Sequence, residues 1–146
     1  MLKKFIVTIL LVFTLVTSSS SIAYEHDEQI NINVYEKINP AIVSIDAETS
    51  DGISAGTGCI VTKEGMILTG SHVVDDSQKI EVTTSSGQVY NAKLLAQMGK
   101  NKDLALLQIE AKHPLKTVTF GNSENVKVGQ KVLAIGNPFG FAGTLT

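Results

Sequence analysis

Between Ala41 and Gly136 the apolar residues fall in short runs separated by turn residues, a texture of strands rather than of helices. Ala41-Ile42-Val43-Ser44-Ile45 is rich in β-branched side chains, and Thr57 to Thr62 and Met66 to Thr69 repeat that composition around a Lys63-Glu64-Gly65 turn. Lys79-Ile80-Glu81-Val82-Thr83 alternates apolar and polar positions, and Ser85-Ser86-Gly87-Gln88 turns it into Val89 to Ala96. Asp103 opens the apolar run Leu104 to Ile109, and Lys131-Val132-Leu133-Ala134-Ile135 is the last predicted strand. Six or so such runs between 41 and 136, without a fixed repeat, predict an all-β fold that closes one small barrel.

The amino-terminal segment has a different pattern. Val34 and Ile38 stand four apart, one apolar stripe of a short helix that Pro40 ends, within a segment spanning 24–40. Before it, Lys3 and Lys4 precede an apolar run from Phe5 to Val16 broken only by Thr8 and Thr14, then small polar residues and Ser21-Ile22-Ala23. That order predicts a secretory signal peptide over residues 1–23, cleaved after Ala23. A membrane anchor would need roughly 20 apolar residues, more than this run supplies.

Composition narrows the function classes. All 12 basic residues are lysine, so the planar guanidinium fork that grips phosphate or a guanine edge is missing, and the chain is net negative. Nucleic acid is therefore not an expected partner. With 43% apolar and only 5% aromatic residues, the core should consist of Val, Ile and Leu. The single cysteine, Cys59, has no internal disulfide partner and reads as a small buried hydrophobe in a strand. His26, His72 and His113 are too widely spaced to suggest a metal site, and no cofactor is expected. The glycine-rich stretch Gly52 to Gly58 lacks the Gly-Lys-Ser/Thr ending of a phosphate loop and reads instead as a flexible turn entering a strand.

Two residues suggest chemistry. His72 follows the strand Met66–Thr69 after a two-residue break, where a rigid element can hold an imidazole at a cleft. Asp103 heads an apolar strand, where its carboxylate is expected to be partly buried and so to need hydrogen-bond donors or a positive partner. Either residue alone also fits a structural role, His72 as a packed or solvated side chain and Asp103 as a turn cap. Together, 31 residues apart and each at a strand boundary, they follow the order histidine, aspartate, serine of chymotrypsin-class proteases.

The surrounding segments make the resemblance specific. Gly56-Thr57-Gly58-Cys59-Ile60-Val61, Gly65 to Thr69, His72-Val73-Val74, Asp103 to Leu107, Phe120-Gly121-Asn122-Ser123, Val128-Gly129 and Val132 to Gly140 stand in the order of the HtrA (Deg) protease domain. The chain thus resembles the amino-terminal part of a trypsin-like serine protease of that family over about residues 33 to 146. The resemblance implies a chymotrypsin-like fold of two β-barrels, of which residues 41–146 would form the first. It also implies an ATP-independent endopeptidase of the periplasm or cell envelope, acting on unfolded or misfolded polypeptides. By that resemblance His72 matches the general base and Asp103 its orienting carboxylate, and the family's trimers suggest a homo-oligomer for the full domain.

The third triad member is the exception. The family's serine lies in a Gly-Asn-Ser-Gly-Gly motif, and the one serine after Asp103 here is Ser123, in Gly121-Asn122-Ser123-Glu124-Asn125. Glu124 would set negative charge beside a developing oxyanion, where the family has glycine and its free backbone N–H groups. The sequence therefore predicts a catalytically incomplete chain, inactive alone, with Phe141 to Thr146 ending it where a second barrel would begin. Three readings follow: part of a genuine protease, a decayed remnant, or an exported β-domain that binds unfolded polypeptides without cutting them.

Overall fold

A computed structural model describes residues 18–98, 102–136 and 144–145. It divides into two compact units, Met1–Val34 and Tyr35–Thr146. The first element is helix α1, Ser18–Ile38, longer than the predicted short helix. Its first half is polar, and Glu, Gln and Ala sustain a helix through propensity without an apolar stripe to reveal it. The helix runs through Ala23, where the sequence predicts cleavage; the apolar run 5–16 lies outside the described residues. A 3-10 turn, Asn39–Ala41, with Pro40 in its first turn, follows α1. Among the described residues no helix is long and apolar enough to cross a membrane.

Six antiparallel strands then close a barrel: β1 Ile42–Thr49, β2 Gly52–Ile60, β3 Met66–Thr69, β4 Lys79–Thr84, β5 Val89–Gln97 and β6 Ala105–Ile109. The strand order around the barrel is β1-β2-β3-β6-β5-β4, and β4 pairs back onto β1. Closure leaves none of these six strands with an unpaired edge. Alternate residues point inward, so Val43, Ile45 and Ala47 of β1 meet Ile80 and Val82 of β4 and Ala105, Leu107 and Ile109 of β6 in one core, completed by Ile60 and Ile67. The aliphatic core expected from composition is the one observed.

The turns follow their residues. Thr62 O accepts from the Gly65 N–H at 3.1 Å, and Gly65 has φ +96°, which fits the predicted turn between β2 and β3. Gly87, at φ +81°, closes the β4–β5 turn by donating to Thr84 O at 2.8 Å. The chain beyond β6 returns along the β2–β3 end, with Leu115 N–H donating to Lys63 O and Val118 N–H to Ile60 O.

Three expectations require correction. Gly52 to Gly58 is not a flexible turn but most of β2. Two of its glycines mark close approach: a Cβ at Gly56 would lie 2.5 Å from Val73 Cγ2, and one at Gly58 would lie 2.6 Å from Ile67 Cγ2. The run Lys131 to Ile135 is not a barrel strand; only Ile135–Gly136 (β7) is extended, paired with Thr144–Leu145 (β8) as a separate two-stranded sheet. Six strands already complete the barrel's hydrogen bonding, so β-branched composition at 131–135 finds no place in it. Cys59 is half-buried rather than buried, and that burial pushes its thiol pKa up, away from reactivity.

Candidate active site

The register of two strands brings the site together. In the β3–β6 ladder Met66 faces Gln108 and Thr69 faces Ala105, and that register continued two residues past Thr69 sets Ser71 opposite Asp103. The separation of His72 and Asp103 in sequence is thus the length of chain needed to leave β3, pass through β4 and β5, and return on β6.

Between β3 and β4 the chain makes one helical turn, α2, Ser71–Val74. Val73 and Val74 are buried and anchor this turn in the barrel core, leaving His72 on its outer side with an imidazole 74% exposed. Gly56 permits this, because Val73 occupies the space that a β2 side chain would need. The Val73 N–H donates to Gly70 O, and the Ser77 hydroxyl and N–H both donate to Val74 O, which closes the turn. Gly70 precedes it in extended conformation; a Cβ there would lie 2.7 Å from His72 Cε1 and 3.2 Å from Asp103 Oδ2, so glycine leaves the ring its room.

Asp103 receives three hydrogen bonds from this turn. Its Oδ2 lies 2.6 Å from His72 Nδ1, and its Oδ1 accepts from the His72 backbone N–H at 3.0 Å and from the Ser71 hydroxyl at 3.0 Å. The side chain is 53% exposed. Leu104 is also exposed, and the strand starts at Ala105 rather than beside Asp103. The His72 backbone N–H, then its imidazole, holds the Asp103 carboxyl below the usual carboxylate range; partial desolvation opposes this, and the Ser71 hydroxyl and the imidazole's charge add to the lowering.

The geometry assigns the ring's proton. A carboxylate at this lowered pKa can only accept, so the proton between Nδ1 and Oδ2 belongs to Nδ1 and the neutral ring keeps its free lone pair on Nε2. Such a ring can take a proton from a hydroxyl, and the adjacent carboxylate stabilises the imidazolium that results.

The other sequence candidates lie elsewhere. Ser123 opens an exposed 3-10 turn, Ser123–Asn125, in which Asn122 Oδ1 accepts from the Glu124 N–H at 3.0 Å. The Asn125 N–H donates to Asn122 O and the Val126 N–H to Ser123 O, so the amides following Ser123 are engaged within the turn rather than free to bind an oxyanion. Among the described residues no group of three or more His, Cys, Asp or Glu side chains is placed to hold a metal ion.

Sequence reasoning missed Ser71 and Gln97. Gln97 at the end of β5 donates from Nε2 to Asp75 Oδ1 at 3.1 Å and to Ser71 O at 3.5 Å, tying α2 to the neighbouring strand. Extending the register from the pattern of β3 and β6 would have found Ser71; the β5 contact carries no such signal, because the β-bulge between Leu94 and Ala96 alters which residue faces the site.

The sequence model of the trypsin-like peptidase domain matches residues 56–146, a span that contains His72, Asp103 and most of the barrel. The chain belongs to this family. Within it the relatives are of HtrA and Deg type. The chain is 46% identical over 91 residues to a probable periplasmic DegP-like serine endoprotease of Chlamydia muridarum, covering 62% of the chain and 18% of the relative. It is 36% identical over 121 residues to serine protease HTRA1 of Xenopus tropicalis, covering 78% of the chain and 26% of the relative. An HtrA-type protease solved with a tripeptide superposes with a TM-score of 0.74 at 33% identity, over 80% of the chain and 38% of that structure. This peptidase-family chain therefore spans about a fifth to a quarter of the curated relatives named here. The resemblance read from the sequence, and the barrel it implied, both hold.

Proposed function

We propose that His72 and Asp103 are the general base and orienting carboxylate of an HtrA-type serine endopeptidase, directed at unfolded or misfolded polypeptides in the periplasm or cell envelope. The single observation that carries this reading is the 2.6 Å contact between His72 Nδ1 and Asp103 Oδ2, which leaves Nε2 as the proton acceptor. The signal-like residues 1–23, the periplasmic naming of DegP-like relatives and the tripeptide in the related HtrA-type structure support the location and the substrate class. An oligomer, a trimer by family, would belong to the complete enzyme.

The base requires a hydroxyl, and Ser123 does not meet the need: Glu124 follows it and the next amides are occupied. The nucleophile would come from a segment like the family's Gly-Asn-Ser-Gly-Gly motif, beyond this sequence, and the 146-residue chain by itself is inactive. Fusing this chain to the motif-bearing barrel of an HtrA relative tests the assignment. The fusion should cleave a denatured protein substrate, His72→Ala should lower kcat/KM by at least about a thousandfold, and Asp103→Asn by about ten-thousandfold. Cleavage that survives His72→Ala at full rate would refute the assigned role.

A further inference from the structure

We propose that Ser71 is a positioning residue for the His72–Asp103 pair, its hydroxyl holding the Asp103 carboxylate in the rotation that presents Oδ2 to the imidazole; this rests on the reading of that pair as base and orienting group. The terminal torsion of an aspartate is broad and easily turned. At 53% exposure Asp103 is not held in one rotation by packing, so hydrogen bonds must do it. One backbone donor, the His72 N–H, would fix one oxygen weakly. Two donors on the same Oδ1, from adjacent residues of one helical turn, mean that turning the carboxylate out of this rotation breaks both bonds at once.

Ser71 is suited to the task because it is itself fixed. The residue is only 9% exposed, its carbonyl accepts from Gln97 Nε2, and Gln97 is in turn bonded to Asp75 at the end of α2. The register that sets residue 71 opposite residue 103 brings the hydroxyl to Oδ1 without a long, mobile side chain. Ser71 touches neither the ring's Nε2 nor any reacting atom by this geometry, and it acts only through Asp103.

The test reads the ring and not the fold. In the full chain labelled with nitrogen-15 histidine, with His72 assigned by His72→Gln, nitrogen shifts at alkaline pH report the ratio of Nδ1-protonated to Nε2-protonated neutral imidazole. Ser71→Thr and Ser71→Val are alike in volume and differ in the hydroxyl. We expect Ser71→Thr to keep the wild-type ratio and Ser71→Val to lower it by about threefold to tenfold, the size of one charge-assisted hydrogen bond in a half-exposed setting. Ser71→Ala against wild type gives the same contrast if the larger side chains do not fit. Equal ratios with and without the hydroxyl would overturn the proposal. If Asp103→Asn also leaves the wild-type ratio unchanged, the underlying His72–Asp103 reading has failed; if it lowers the ratio while Ser71→Val does not, only the role of Ser71 has.

Discussion

Three donors from adjacent residues converge on the carboxylate of Asp103, and the consequence is measurable as a pH dependence. A carboxyl held below its ordinary value binds its proton more weakly in the folded chain than in the unfolded one. Its contribution to stability is therefore complete above the ordinary carboxylate pKa of about 4 and disappears as pH falls through the lowered folded value. Thermal melts should show wild type above Asp103→Asn near neutral pH, with the gap closing at pH below about 4. A gap that widens in acid would mean that the carboxylate is not what these donors stabilise. At this scale the sequence was partly legible. His72 and Asp103 stood out because each sits at a strand boundary in a known order, whereas Ser71 and Gln97 are ordinary polar residues whose roles depend on register and on a bulge.

Among the elements, β2 illustrates how a sequence signal can be sound and its interpretation wrong. Glycine at positions 52, 56 and 58 suggested a flexible turn, yet the strand needs Gly56 and Gly58 because side chains from β1, β3 and α2 fill the space above its backbone there, and Gly52, with open space around it, for its φ of +135°. A Cβ at Gly58 would meet Ile67 Cγ2 at 2.6 Å, Ile45 Cδ1 at 2.8 Å and the Leu68 carbonyl oxygen at 3.2 Å, all inside a close-packed barrel. Gly58→Ala should therefore destabilise the chain by about 1–3 kcal/mol, the usual cost of overpacking. Gly121→Ala, where an added Cβ meets nothing within 4 Å, should stay within about 0.5 kcal/mol of wild type. Denaturant unfolding of both variants checks the contrast, and equal midpoints would contradict it. The strands β1, β3, β4, β5 and β6 were legible because alternation or β-branched runs mark them directly. Residues 131–135 have the same composition without a barrel neighbour to pair with, and composition does not encode a partner.

For the whole molecule, closure is the organising fact. Hydrogen bonding from β4 back to β1 completes the barrel, and its inner side chains anchor Val73 and Val74, so the turn bearing His72 is held against the strand that follows Asp103. The fold was readable from the rhythm of short strands together with the HtrA-like motifs; the length of α1 was not, because a polar helix leaves no periodic apolar trace. On the proposed reading His72 is a base oriented by Asp103, and the hydroxyl it would deprotonate is not that of Ser123. Treatment of the purified chain with a serine-directed fluorophosphonate, followed by intact-mass measurement, tests that most directly. The account predicts an unmodified mass under conditions that fully label an active HtrA-type protease, and a stoichiometric adduct on Ser123, lost with His72→Ala, would contradict it.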